Sequence, residues 1–318
     1  MGAVRVPPFA AHGDEGLSAA RAWLSWLLAL RPAQWIKNGV VPAAYFFARW
    51  DPSQSAHVQG VWPIALEAMA VACFCCVSSG VYLINDVHDI AADRAHPVKC
   101  RRPLASGDVG VGAALAVAAA LLSAGLAGSL ALPWAFTGVL GGYCLMQFLY
   151  TFGLKRIPYV DVFVIATGFV LRAIAGATVL TVRISPWLLL CTFLLALFLA
   201  LCKRRHEKIL LEDAGEQHRE ALAGYDRYLL DMQIAITSCA TLVCYAIYTL
   251  SEETVRRFGT NRLGLTIPFV VFGIFRYLEL VYRHDAGGRP EKALLTDKVL
   301  IATVACYALT ALVVFLTA

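Results

Sequence analysis

The chain has 318 residues, 59% of them hydrophobic and 15% charged, with a mean hydropathy of +0.66. A soluble globular domain averages about 45–50% apolar and about 25% charged residues. This composition therefore excludes a water-soluble fold, a disordered chain and a small disulfide-stapled module, and the surplus apolar surface must face lipid. The net charge of +5 does not point to nucleic acid, because no basic stretch carries interleaved aromatics.

Residues 1–30 read as a cytoplasmic tail and interfacial segment. They contain Pro7-Pro8, Gly13, Asp14 and Glu15, without the apolar core or cleavage site of a signal peptide. Residues 31–318 read as one transmembrane domain. A helix needs about 20 mainly apolar residues to cross the hydrocarbon layer. Candidate spans lie near 33–48, 62–85, 110–131, 134–152, 159–181, 186–202, 232–250, 264–282 and 299–317, so the fold class is an all-α polytopic membrane protein of about nine helices. The ten cysteines fall almost entirely inside these spans, where free Cys behaves as a small hydrophobe. Gly125, Gly128, Gly138, Gly141 and Gly142 read as small residues that let helices approach.

The first span opens with Arg31-Pro32-Ala33-Gln34-Trp35-Ile36-Lys37-Asn38. Lys37 lies about one turn inside it, at the depth where a lipid phosphate would sit. The second span ends in Asn85-Asp86-Val87-His88-Asp89-Ile90-Ala91-Ala92-Asp93. At about 100° per residue, Asn85, Asp89 and Asp93 are predicted to line one helix face, with Asp86 beside it. Hard oxygen donors at this spacing suit Mg²⁺, which takes one or two carboxylates together with phosphate oxygens. Arg94, Lys99, Arg101 and Arg102 follow at once, and acid followed by base suits a metal-bound diphosphate whose remaining charge is met by cations.

Tyr150 and Lys155 close the fourth span. Asp161 and Arg172 are eleven residues apart in the fifth, on one helix face but about 16 Å apart, and are expected to line a common polar cavity. Arg172 is the one cation deep within a span, and such a residue is a functional candidate by default. After the sixth span comes Cys202-Lys203-Arg204-Arg205-His206-Glu207-Lys208, basic at its start, with carboxylates scattered through 211–215. With the N-terminus inside, 21 of the 27 Lys and Arg lie on the cytoplasmic side and five outside, which sets the orientation.

Asn85–Asp93 reads N-D-x-x-D-x-x-x-D, and Arg102–Gly107 reads R-P-L-x-S-G. Together they resemble the first signature of the UbiA superfamily of intramembrane prenyltransferases. The basic loop after the sixth span departs from the second Asp-rich element of members that prenylate aromatic rings. Instead the segments Arg31–Asn38, Tyr82–Asp89, Ala92–Pro97, Phe152–Lys155, Leu171–Gly176, Lys203–Glu207 and Arg276-Tyr277 are most similar to the branch that transfers phosphoribose to decaprenyl phosphate. The resemblance covers roughly residues 31–300. It implies a nine-helix bundle around a cytoplasm-facing polar cavity in the cell membrane. It also implies Mg²⁺ dependence and transfer of 5-phosphoribose from 5-phosphoribosyl 1-diphosphate to a polyprenyl (decaprenyl) phosphate.

On that reading Asp86, Asp89 and Asp93 are catalytic, with Asn85 and Asp89 holding the metal. Lys37, Tyr82, Asn85, Lys99, Arg101, Arg102, Tyr150, Lys155, Asp161, Arg172, Lys203, Arg204 and Glu207 bind substrate. The nucleophile is an already ionised phosphate oxygen, so no general base is required, and His88, His96 and His206 read as positional. The alternatives are an aromatic prenyltransferase of the same superfamily, which the missing second Asp-rich loop opposes, and a lipid transporter or flippase, for which matching broken helices in two halves are wanting. The sequence leaves lipid length and oligomeric state open, a homo-oligomer included.

Overall fold

The computed structural model describes residues 22–96, 98–213, 224–283, 286–288 and 290–317. Residues 1–21 of the expected tail, Pro97, Arg219, Arg289 and the side chains of the 211–215 loop lie outside the described residues. Among the described residues there is no strand. Eight long helices among the described residues form the bundle: α1 (Trp62–His88), α2 (Val111–Ser129), α3 (Trp134–Phe152), α4 (Val160–Leu180), α5 (Pro186–Asp213), α6 (Arg227–Leu250), α7 (Ile267–Arg283) and α8 (Lys298–Leu316). Their starts follow local chemistry. Proline stands in the first turn of α1, where its missing N–H costs nothing. Asp226 and Asp297 accept the backbone N–H of Leu229 and Leu300 at 2.9 and 2.8 Å, capping α6 and α8.

Among the described residues seven helices are long and apolar enough to cross a membrane, α7 together with the turn that precedes it. The protein is thus a multi-pass membrane protein. The fourth expected span forms α3, whose 19 residues extend about 28 Å, but which is less apolar than these seven. The first expected span is not a continuous helix. A 3-10 segment, Pro32–Val40, is followed by a short α-helix, Ala43–Arg49. Pro42 stands at the junction, and its ring and missing N–H prevent the first piece from running into the second.

This broken segment lies against α4. A Cβ on Gly176 would stand 1.9 Å from the Val41 carbonyl oxygen, so only glycine fits there. The pairing of α1 with α2 is similarly close, since a Cβ on Gly125 would meet Val77 at 2.8 Å and the Cys73 carbonyl at 3.0 Å. Gly138, Gly141 and Gly142 of α3 instead face open space, so the small residues expected to seat α3 do not meet a neighbour. One apolar core joins α1, α3, α4 and the broken segment through Phe74, Val77, Phe136, Tyr143 and Val179; a second joins α4 to α5, α6 and α7 through Val162, Phe198, Leu230 and Tyr277. The helix α4 belongs to both, and its membrane window is the most buried of the seven. All ten cysteines are free thiols.

Candidate active site

At the end of α1 the helix pauses at Asp89, and a short helix, Ile90–Ala95, resumes from it. The acidic residues divide by register. Asn85 and Asp89, four apart, present one side, while Asp86 and Asp93, seven apart, return within about 20° of each other on another. The single face expected for Asn85, Asp89 and Asp93 is therefore two faces, and each meets its own cations.

Lys155 serves the first face. It sits on the 3-10 turn Leu154–Arg156 that follows α3, and its side chain is buried. Its Nζ donates to Asp89 Oδ1 at 2.6 Å and to Asn85 Oδ1 at 3.1 Å, and lies 3.5 Å from His88 Nδ1. The Asn85 amide donates to Asp89 Oδ2 at 3.2 Å, and His88 Nδ1 lies 3.1 Å from Asp89 Oδ1. Burial alone would raise the Asp89 carboxyl, but the Lys155 ammonium and the His88 ring outweigh it and hold it below the usual carboxylate range.

Two arginines serve the second face. Arg31 pairs with Asp86, and Arg102 Nη1 donates to Asp86 Oδ1 at 3.1 Å and to Asp93 Oδ2 at 2.6 Å. The Arg31 guanidinium also lies over the Tyr82 ring, 5.2 Å from its centroid. Arg31 reaches this position from a left-handed backbone conformation, φ 54°, just before Pro32. Burial raises the Asp93 carboxyl, and Arg102 only partly offsets it; Lys99 is close enough to contribute in the same sense as Arg102.

A third group centres on Asp161, which is fully buried at the start of α4. Arg204 of α5 donates to Asp161 Oδ2 at 2.5 Å and to the Tyr150 hydroxyl at 3.2 Å, and pairs with Glu207. The Tyr225 hydroxyl donates to Asp161 Oδ1 at 2.5 Å and accepts the Tyr159 N–H at 2.8 Å. Burial, then this bond to a carboxylate, pushes the Tyr225 phenol well above its usual range.

Arg172 does not join Asp161 in a common group. Its Nε donates to Asn38 Oδ1 at 2.8 Å, Nη1 to the Gly168 carbonyl at 2.9 Å and Nη2 to the Tyr143 hydroxyl at 2.8 Å. Its charge faces the Tyr143, Phe169 and Phe74 rings, 4.7 to 5.8 Å from their centroids, and no carboxylate pairs with it among the described residues. Asn38 in turn donates to Cys75 Sγ at 3.2 Å. Cys75 is ten residues before Asn85, about 15 Å along α1, so Arg172 lies well inside the bundle from the acidic motif. Among the remaining candidates, Arg101 is exposed, and Lys37, Lys99 and Lys203 are half-buried.

Arg31, Asn38, His88, Tyr143 and Tyr225 belong to these groups although motif spacing alone does not single them out as site residues. For Arg31 the signal was available in the Arg31–Asn38 segment. Tyr225 precedes a helix in a loop with no periodic pattern, and nothing in the sequence announces it.

Among the described residues no three carboxylate, His or Cys side chains converge as a ready metal cage. Asn85 Oδ1 and Asp89 Oδ1 nevertheless both point at one cation, the Lys155 ammonium. One carboxylate and one amide oxygen suit Mg²⁺, which draws its other ligands from water and substrate phosphate. The donor set fits.

The UbiA prenyltransferase family matches residues 42–207. A decaprenyl-phosphate phosphoribosyltransferase of Corynebacterium glutamicum is 36% identical over 276 residues, which cover 86% of this chain and 81% of that protein. One of Mycobacterium tuberculosis is 34% identical over 274 residues, covering 86% and 88%. A solved UbiA homolog from Archaeoglobus fulgidus, bound to DMAPP and Mg²⁺, superposes with a TM-score of 0.67 at 19% identity, covering 92% of this chain and 99% of that one. At that identity the likeness shows a shared fold. The chain belongs to the UbiA prenyltransferase family.

Proposed function

We propose that the protein transfers the 5-phosphoribosyl group of 5-phosphoribosyl 1-diphosphate to a polyprenyl phosphate of the decaprenyl type. Residues 31–318 form the catalytic unit, working at the cytoplasmic face of the cell membrane, the side to which the Lys and Arg bias assigns the acidic motif. The observation that carries the reading is the company of the acidic motif. Lys155, Arg31 and Arg102 converge on it, and the last turns of α5, where the sequence suggested a loop, offer Lys203 and Arg204 in place of a second run of aspartates. Two phosphorylated substrates need cations gathered in this way. The names of the relatives at 34 and 36% identity carry the same lipid acceptor and the same transferred group.

In the reaction the bond from ribose C1 to diphosphate breaks and a bond from C1 to an oxygen of the lipid phosphate forms. The attacking oxygen is already ionised, so no side chain has to remove a proton. Negative charge grows on the departing diphosphate, where Lys155, Arg31 and Arg102 would meet it through charge-assisted hydrogen bonds. Mg²⁺ held by Asn85 and Asp89 would neutralise part of that charge. Tyr82, under Arg31, holds the guanidinium by its ring face. Arg204 is held by Asp161 and Glu207 on one side and reaches Tyr150 on the other, so it positions the wall of the site nearest α5.

The test is incubation of purified protein with Mg²⁺, labelled 5-phosphoribosyl 1-diphosphate and a polyprenyl phosphate. Label should pass into the organic phase, EDTA should abolish the transfer, and geranyl diphosphate with an aromatic acid should give no product. A prenylated aromatic product without phosphoribosyl lipid would establish the aromatic prenyltransferase reading instead.

A further inference from the structure

Both carboxylate oxygens of Asp89 are engaged: Oδ1 by Lys155 and His88, and Oδ2 by the Asn85 amide. The Asn85 carbonyl oxygen is also given to Lys155. The two donors assigned to a divalent ion thus share one ammonium, and that ammonium is buried, where a charge is held by its hydrogen-bond partners. An ion coordinated by Asn85 Oδ1 and Asp89 Oδ1 would need the volume that Nζ fills, and two cations repel at such a distance. The arginines at Asp86 and Asp93 stand differently. They approach from the 31 and 102 segments and leave Asn85 and Asp89 alone.

Building on the reading that this site takes Mg²⁺, we infer that Lys155 is the resident cation of the metal position. Its ammonium neutralises Asp89 and donates to the Asn85 carbonyl oxygen until a divalent ion arrives with the donor diphosphate, and then transfers its hydrogen bonds to that diphosphate. Lysine suits the role, since its compact charge rides on a flexible four-carbon stem and can swing without backbone movement. Its place on a short 3-10 turn beyond α3 keeps it at the edge of the group. The consequence is a fixed coupling. Metal without diphosphate must break a buried ion pair, whereas metal with diphosphate gives the displaced ammonium a new anion. By linkage, each ligand raises the other's affinity.

The experiment measures Mn²⁺ binding to the detergent-solubilised protein by electron paramagnetic resonance, without and with inorganic diphosphate. Wild type is compared with Lys155→Met, Lys155→Gln and Asp89→Ala. Without diphosphate, Lys155→Met and Lys155→Gln should bind Mn²⁺ about tenfold to a hundredfold more tightly than wild type, the equivalent of one charge-assisted hydrogen bond. Mn²⁺ should also raise the melting midpoint of Lys155→Met more than that of wild type, because it replaces the lost partner of Asp89. With diphosphate present the gap in affinity should close or reverse. Equal or weaker Mn²⁺ binding by both Lys155 variants overturns the inference, even if Asp89→Ala loses the ion and the metal reading stands. Absence of Mn²⁺ from every protein with diphosphate present overturns both.

Discussion

Two side chains near the same short segment do different work. Asn38 is held by Arg172 on one side and reaches Cys75 on the other, so it fixes the 3-10 segment that also carries Lys37. Arg172→Lys retains the charge but cannot span Asn38, Gly168 and Tyr143 with one fork. Losing buried partners costs about 1–3 kcal/mol, so this variant should lower the melting midpoint in detergent. Lys37 is half-buried, and Lys37→Ala removes its charge. If its ammonium meets the lipid phosphate, transfer should fall about tenfold to a hundredfold while the melting midpoint stays put. Kinetics and melting curves on the two variants check both outcomes. The acidic motif was legible in the sequence because its register is local. Its partners were not, since Lys155 is 66 positions from Asp89, Arg31 is 55 from Asp86, and Tyr225 is 64 from Asp161. Only folding brings such pairs together, and no spacing rule marks them.

At the scale of elements, hydropathy located the long helices but not the break in the first segment. A window average registers apolar residues and passes over a single proline such as Pro42, although one missing N–H decides whether a helix continues. Caps are more sharply written. Asp297 accepts the Leu300 N–H at 2.8 Å and takes two hydrogen bonds from Arg276, at 3.2 and 2.7 Å, which ties the start of α8 to α7. The Arg276 bond, aided by the cap, holds the Asp297 carboxyl below its usual range. Its pKa is thus lower in the folded than in the unfolded protein. The stabilisation is present above the ordinary carboxylate value of about 3.9 and is lost as pH falls through the lowered one. Asp297→Ala should lower the melting midpoint at neutral pH by the equivalent of about 1 kcal/mol for the cap, and Asp297→Asn by less. Melting curves between pH 6 and 3 should show a shallower acid decline for Asp297→Ala than for wild type.

At the scale of the whole molecule, each carboxylate of the candidate site already meets a cation before any ligand binds. Asp86, Asp89, Asp93 and Asp161 each meet a lysine or arginine, and Arg172 rests on rings and neutral oxygens. A fold balanced in this way does not need a divalent ion for its own stability. Treatment with EDTA in the absence of substrate should leave the helical circular dichroism and the melting midpoint unchanged, while transfer activity is lost. A fall in the midpoint on chelation alone would show that the ion supports the fold as well as the reaction. The all-α membrane class was legible from composition, because 59% apolar residues can be hidden only by lipid or by other helices.

The close seat of Val41 against Gly176 bears on the order in which the chain can assemble during synthesis. Backbone groups at a break in a helix find no partner in hydrocarbon and are tolerated only inside protein. Segment 32–49 leaves the ribosome before α4, yet α4 supplies part of the surface that receives it, the rest coming from α1. Its final position therefore waits for α4. A stretch translated before α4 is thus fully seated only after it, and Lys37 and Asn38 reach their places only when the helix carrying Arg172 is in the membrane.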